Sequence, residues 1–430
     1  MNMTQTQARA VRSTFYAILF AIGCGHFFND SIQAVIPAMN PILERSLDLN
    51  YAQIGWIAFV ANMTASVIQP FFGYYADLRS RPFLLPIGIL MSLTGLIVFA
   101  LAPSYVWALS AVFFIGIGSS IFHPEGSRVA HMAAGAKRGL AQSIFQVGGN
   151  FGQSMAPVLT ALLFLPLGQR GVLLFSAFAV IGVLVLLRVS VWYKGHLPAR
   201  APRMSSARVK PRDKRAAFIH HKVVVAMGLL VAVIFARSWY ATCITNFYQF
   251  YLIHDYRLSI QMAQIFIFIF MGSGVVGTFL GGPLADRFGK KTVILASFVG
   301  AAPLTLLLPY LPLGLIAPVF LLIGLIITSS FSVTVIYAQE LMPGRLGMVS
   351  GLTIGFAFGM GAIGAVLFGN LADLFSIRFV MILCSLFPLI GVLAALLPGD
   401  QTVRRWNRRG SLARLSRGLS AQSYKTDEYK

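Results

Sequence analysis

Apolar residues in this chain gather into runs of ~20, the length a helix needs to cross ~30 Å of hydrocarbon, and short polar breaks separate the runs. The pattern predicts spans over residues 15–38, 52–76, 83–102, 105–122, 139–165 and 171–193, then 223–252, 260–285, 291–310, 314–338, 346–372 and 377–398. No strand-like alternation runs through them, and lipid offers backbone groups no partners, so each span is expected to be helical. The expected fold class is an all-α membrane protein of twelve transmembrane helices in two six-helix halves. The N-terminal bundle is placed at 15–193 and the C-terminal bundle at 223–398. A cytoplasmic N-terminus at 1–14, a basic cytoplasmic linker at 194–222 and a basic cytoplasmic tail at 399–430 complete the chain.

Composition agrees with this: 57% of residues are hydrophobic and 11% charged, unlike an average soluble domain. A net charge of +21 would suggest nucleic acid in a soluble protein. Here the basic residues sit between apolar spans, where topology and anionic lipid at the inner leaflet account for them. One side collects Arg9, Arg12, Arg79, Arg81, Arg128, Lys137, Arg138, the linker, Arg287, Lys290, Lys291, Arg345 and the tail; the other holds Arg45, Arg170, Arg257 and Arg378. That bias puts both termini and the linker in the cytoplasm. The run after Arg9 and Arg12 is too long for a signal peptide and reads as an uncleaved first span. Cys24, Cys243 and Cys384 fall in separate spans without CxxC spacing, so no disulfide or metal is expected.

Polar residues inside the spans are the functional candidates, because the bilayer makes them costly. His26, Asn29, Asp30 and Gln33 follow i, i+3, i+4, i+7 spacing and share one face of span 1. They form either a proton-handling site centred on Asp30 and His26 or a hydrogen-bonded contact to neighbouring helices. Span 4 ends in His123, Pro124, Glu125 and Arg128, which read as a second proton carrier at Glu125, a cytoplasmic gate, or a helix-end salt bridge. Gln339 and Glu340 mirror them at the end of span 10. Span 5 carries Gln142, Gln146, Asn150 and Gln153 on one stripe, suited to a polar substrate or to bonds with another helix. Span 7 sets Arg237 in line with Tyr240, Tyr248 and Tyr251. A guanidinium at that depth needs an acid or an anionic ligand, and Asp30 is its expected internal partner, which an anionic substrate would displace. Gln261 and Gln264, after Ser259, read as capping or interface residues at the start of span 8.

The halves repeat. GYYADLRSRP follows span 2, with Gly73, Asp77, Arg79 and Arg81; GPLADRFGKK follows span 8, with Gly282, Asp286, Arg287, Gly289, Lys290 and Lys291. Tandem halves of this kind mark secondary transporters. The loops, within a six-plus-six plan, resemble the signature of the major facilitator superfamily over residues 15 to 398. The first copy has Leu78 and Ser80 where a basic residue and a Gly are usual.

The stretches 26–33, 119–152 and 337–365 resemble more closely the bacterial inner-membrane members of that superfamily that export fosmidomycin. The resemblance implies drug efflux, of a phosphonate or another small polar or anionic compound, in exchange for protons and by alternating access. Gly139, Gly148 and Gly152 keep part of the antiporter motif of the superfamily, with Gln153 in place of its Pro. Proton-coupled uptake of a polar nutrient and a non-transporting membrane sensor are the other readings. The sequence holds no nucleotide loop, metal cluster or nucleophile triad, so no enzyme activity, metal or cofactor is expected beyond the proton gradient. The expected partners are a small-molecule substrate, protons and the lipid bilayer, not nucleic acid, and the expected state is a monomer.

Overall fold

The computed structural model describes residues 14–78, 81–135, 138–196, 214–342 and 346–407. Arg79, Lys137, Arg345, residues 197–213 of the linker and the tail beyond 407 lie outside the described residues, as does the side chain of Asp77.

The first half is built from α1 (Tyr16–Leu47), α2 (Tyr51–Leu78), α3 (Leu84–Leu101), α4 (Tyr105–Ala133), α5 (Arg138–Leu159, prolonged by Thr160–Phe164) and α6 (Val172–His196). The second half contains α7 (Lys214–Cys243, prolonged by Ile244–Tyr248 and Gln249–His254), α8 (Ile260–Phe288) and α9 (Lys290–Leu307). It is completed by α10 (Leu313–Thr328, resuming as Ser330–Leu341), α11 (Leu346–Leu374) and α12 (Ile377–Ser385, prolonged by Phe387–Ile390 and Gly391–Leu396). Ten stretches of the described residues are long and apolar enough to cross a membrane, and one of them, Leu140–His196, contains both α5 and α6. The polar face of α1 keeps that helix out of the ten.

Three helices run well past the bounds that the sequence suggests, and one of them, α7, begins at Lys214, inside the stretch expected to be linker. α1 continues through Pro37 and Pro41 to Leu47, and α4 continues through Pro124 to Ala133. Proline removes one N–H and frees the carbonyl four residues back, and a helix survives this in a membrane when a neighbour supplies the missing donor. Pro41 frees the carbonyl of Pro37, and Gln249 Nε2 of α7 donates to that oxygen at 2.7 Å.

Within the first half α1 packs on α5, α4 on α2 and α3, and α3 on α6; in the second, α8 packs on α10 and α7 on α11. The halves meet along two crossings, α2 with α11 and α5 with α8, which exchange under the repeat. Glycine sets the closest approaches. A Cβ on Gly148 of α5 would run into the Gly23 carbonyl of α1, and one on Gly369 of α11 into the Tyr51 carbonyl of α2.

The halves close at the end remote from the linker. There Gln264 Nε2 donates to the Ala38 carbonyl at 2.9 Å and to Gln249 Oε1 at 2.7 Å, and Asn40 Nδ2 lies 3.4 Å from Asn246 Oδ1. Gly55 of α2 abuts Ala365 of α11. Toward the linker end of α11, a Cβ on Gly355 or Gly359 would meet no atom within 4 Å among the described residues.

Candidate functional site

Asp30 is buried in the middle of α1 and collects contacts from three helices of the first half. Asn29 Nδ2 and Gln33 Nε2 donate to Oδ1 at 2.9 and 3.5 Å, and Gln153 Nε2 of α5 donates to Oδ2 at 2.8 Å. His26 Nε2 stands 3.3 Å from Oδ1 and His123 Nε2 of α4 stands 3.4 Å from the same oxygen. Helical spacing brings His26 and Gln33 to the carboxylate. The proximity of α4 and α5 to α1 brings the rest.

The tautomer of His26 follows from its other nitrogen. His26 Nδ1 lies 2.7 Å from the Phe145 carbonyl, which only accepts, so Nδ1 carries the hydrogen. His123 Nδ1 lies 3.0 Å from the Ser119 carbonyl and 3.1 Å from the Ser119 hydroxyl, an acceptor and a group that can donate. Three amide N–H groups already face the Asp30 carboxylate, and each ring Nε2 adds a donor when it carries a hydrogen. The three facing atoms lie within 4.8 Å of one another, a grouping also of the kind that holds a divalent ion. Oδ1, the atom both rings approach, also accepts from the Asn29 and Gln33 amides, at 2.9 and 3.5 Å. His123, expected in a gate near the end of span 4, belongs to this cluster.

The ion pair expected between Asp30 and Arg237 does not form. Arg237, buried on α7, donates from Nη1 to Thr334 Oγ1 on α10 at 3.0 Å, and its guanidinium lies 4.8 Å from the centre of the Phe331 ring. Asp30 is surrounded by histidines and amides instead. No carboxylate stands within salt-bridge distance of Arg237 among the described residues.

Tyr240 and Tyr248, expected to bind substrate beside Arg237, are packed into the second half. The Tyr248 ring lies 4.6 Å from Phe320 and 5.4 Å from Tyr251, and the Tyr240 ring 6.4 Å from Phe270. Both hydroxyls are buried without a hydrogen-bond partner. Arg237 shares this stripe of α7 but has its own partners, Thr334 and Phe331, on α10.

On α5, Gln142 is exposed and Gln146 Nε2 lies 3.5 Å from Asn150 Oδ1, so only Gln153 of that stripe reaches Asp30. Glu125 is buried and accepts from the Tyr193 hydroxyl at 3.0 Å, with Arg128 half-buried one turn on. In the signature loops Arg81 lies 5.7 Å from the Tyr75 ring and Arg287 5.2 Å from the Phe288 ring. Asp286 is exposed; among the described residues a Cβ on Gly73 would meet only Pro124 within 4 Å, and one on Gly282 nothing. Gly289 takes φ of 88°, open to glycine at no steric cost. Lys290 pairs with Glu340 at 3.0 Å and with Asp400 at 3.7 Å, and Asp400 accepts the backbone N–H of Lys290 at 2.9 Å.

Sequence reasoning did not assign Thr334, Phe331, Ser119, Tyr193 or Asp400. Of these only Thr334, a polar residue deep in span 10, carried a visible signal.

Comparison with known proteins gives a consistent picture. The model of the Major Facilitator Superfamily matches residues 19–357 and 232–419. The chain is 53% identical over 395 residues to the uncharacterized MFS-type transporter YfnC of Bacillus subtilis (strain 168), covering 92% of this chain and 96% of that one. It is 43% identical over 388 residues to the fosmidomycin resistance protein of Escherichia coli (strain K12), covering 90% and 94%. Among solved structures it resembles a bacterial homologue of the human lysosomal transporter Spinster in an inward-facing, unoccupied conformation, with a TM-score of 0.72 at 15% identity over 91% of this chain and 97% of that one. The nucleoside transporter NupG matches with a TM-score of 0.68 at 16% identity over 88% and 98%. At such identities these two speak for the fold alone.

Proposed function

The chain belongs to the Major Facilitator Superfamily of membrane transporters, and on that premise we propose that it is a proton-coupled carrier exporting a small polar or anionic compound, of the fosmidomycin phosphonate kind, by alternating access. The observation that carries the proton assignment is the convergence of His26 Nε2 and His123 Nε2 on Asp30 Oδ1 at 3.3 and 3.4 Å. A protonated ring presents an N–H to the carboxylate, so the proton occupancy of the cluster sets how Asp30 is held.

Arg237 supports an anionic cargo. A buried guanidinium with one hydroxyl partner and an aromatic face retains most of its donors for a phosphonate or carboxylate. Because Asp30 and Arg237 each have other partners, proton and substrate occupy separate sites in separate halves, and the rocking of the halves links them. Asn29, Gln33, Gln146 and Asn150 are assigned to orienting the cargo or the Asp30 carboxylate. Glu125 with Tyr193, and the Lys290–Glu340 pair, are assigned to the cytoplasmic gate.

The name of the Escherichia coli relative supports the direction of transport. The resemblance to the Escherichia coli relative supports a bacterial inner membrane and the distribution of Lys and Arg supports both termini in the cytoplasm, and then the closed end faces outward. We assign the chain a monomeric state, with the proton gradient as its only energy source.

The test is purified protein in liposomes that hold a pH-sensitive dye, given fosmidomycin across an imposed proton gradient, for wild type and Asp30→Asn. Substrate-dependent proton flux in wild type and its loss in a folded Asp30→Asn protein is the expected result. Flux that survives in Asp30→Asn moves coupling to Glu125 or Glu340. Absence of flux in wild type overturns either the proton coupling or the cargo.

A further inference from the structure

The first four N–H groups of a helix have no intrahelical partner, and on α2 all four can be traced. Asn50 and Gln53 form a reciprocal capping box: Asn50 Oδ1 accepts from Gln53 N at 2.8 Å and Gln53 Oε1 accepts from Asn50 N at 3.0 Å. That leaves the N–H groups of Tyr51 and Ala52. Both donate to Asp373, at 3.0 Å to Oδ1 and 2.8 Å to Oδ2. Asp373 belongs to α11, in the other half of the molecule.

The position of Asp373 makes no sense for its own helix. It lies in the last turn of α11, where carbonyl groups carry the negative end of the dipole and an acid is unfavourable. It is well placed only with respect to α2, whose positive end it meets. Three further features hold it there. Gly369, one turn earlier, lets α11 reach the Tyr51 backbone, and Gly55 lets α2 approach Ala365. The Tyr51 side chain is held as well, since its hydroxyl lies 2.8 Å from His254 Nδ1 at the end of α7. One residue of the first half is thus fixed through its backbone by α11 and through its side chain by α7.

We propose that Asp373 is the latch of the outer gate: a cap on α2 supplied by the opposite half, made when the carrier is closed outward and broken each time it opens. Every outward opening strips a charge and two N–H groups of their partners and exposes them to water. The capping box keeps the first turn of α2 folded while this happens, so the latch can close again on a preformed helix end. The proposal rests on the alternating-access reading, and it names a positioning residue, remote from both the Asp30 cluster and Arg237.

Hydrogen–deuterium exchange of the full chain in lipid nanodiscs tests it, on wild type, Asp373→Ala, Asp373→Asn and Asp373→Glu. With Asp373→Ala we expect amides of 50–56 and 249–254 to exchange about tenfold faster, the factor for losing a charged two-bond cap. Amides at the linker ends of α2 and α11, 66–78 and 346–358, should exchange more slowly as that end closes. Asp373→Asn, which keeps one acceptor oxygen, should fall between, and Asp373→Glu should restore part of the protection. This reciprocal change separates a latch from a local structural contact, which would loosen the outer end alone. Exchange that rises only at 50–56, or does not change, overturns the proposal; if Asp373→Ala does not fold, the same criterion applies to Asp373→Asn. Transport assayed on the same preparations keeps the two readings apart, since a wild type that moves no substrate refutes the carrier assignment while the exchange pattern still reports on the latch.

Discussion

His26 and Phe145 are joined twice: the imidazole stacks on the phenyl ring with centroids 4.0 Å apart, and its Nδ1 donates to the backbone carbonyl of the same residue at 2.7 Å. The ring contact fixes where the imidazole lies, and the carbonyl fixes which nitrogen faces Asp30. These roles separate by substitution. Phe145→Leu keeps the carbonyl and should retain substrate-dependent proton flux while lowering thermal stability by about 1 kcal/mol, the worth of an aromatic pair. His26→Ala removes one hydrogen bond to the carbonyl, which keeps its helical partner, and flux should be lost with about 1 kcal/mol of stability. Equal flux in His26→Ala and wild type would remove His26 from the coupling site.

Glycines at the two kinds of contact should respond oppositely. A Cβ at Gly148 meets the Gly23 backbone, which cannot move as a flexible side chain can, so Gly148→Ala should cost about 1–3 kcal/mol. A Cβ at Gly282 would meet nothing within 4 Å among the described residues, and Gly282→Ala should be neutral or stabilising by up to about 1 kcal/mol through helix propensity. Melting temperatures of the purified proteins measure both. A loss at Gly282 equal to that at Gly148 would mean that the crossing of α1 and α5 is not set by backbone contact.

Arg237→Lys retains the charge but not the planar fork, and Arg237→Met removes both. If the guanidinium takes an anionic group, Lys should raise the apparent KM for fosmidomycin about tenfold and Met about a hundredfold, in line with the worth of charge-assisted bonds. Thr334→Val, which removes the hydroxyl partner at 3.0 Å, should produce a smaller rise. Unchanged KM in Arg237→Met would make the residue a packing element between α7 and α10.

Asp400 accepts N–H groups from Lys290 and Lys291 at the start of α9, at 2.9 and 3.3 Å, and Asn407 Nδ2 donates to the Glu340 carbonyl at 2.9 Å. The segment from 400 to 407 is therefore clasped to the linker ends of α9 and α10, with Val403 buried beneath it. Asp400→Ala should cost about 1 kcal/mol as a lost cap and speed amide exchange across 399–407. A segment whose exchange does not alter in that variant is held by Val403 and Asn407 alone.

The helical plan was legible because hydrocarbon thickness leaves one solution for runs of this length, and His26, Asn29, Asp30 and Gln33 were legible together because helical period alone puts them on one face. The residues that complete the cluster were not. His123 lies far along the chain, beside a proline that reads as a helix end, and only the continuation of α4 through Pro124 sets its ring against Asp30. Gln153 was visible as part of a polar stripe, yet the stripe does not say which of its members reaches α1. The expected Asp30–Arg237 pair came from charge balance, which ignores that two histidines can neutralise one carboxylate. The burial of Tyr240 and Tyr248 depends on how α7 is turned about its axis, a quantity set by packing against α8 and α10.

The Asp30 cluster is assembled from α1, α4 and α5, and Arg237 is held by α7 and α10, so the acid and the cation are mounted on different halves. If the halves swing as the alternating-access proposal has it, the two charges travel along the membrane normal by different amounts, and a displacement of charge across the dielectric is itself an electrical signal. Vesicles adsorbed on a solid-supported electrode should then give a brief capacitive current on substrate addition even with no proton gradient imposed, and its size should differ between wild type and Arg237→Met. The division of the charges between the halves would thus be measurable as a current before any net transport has occurred.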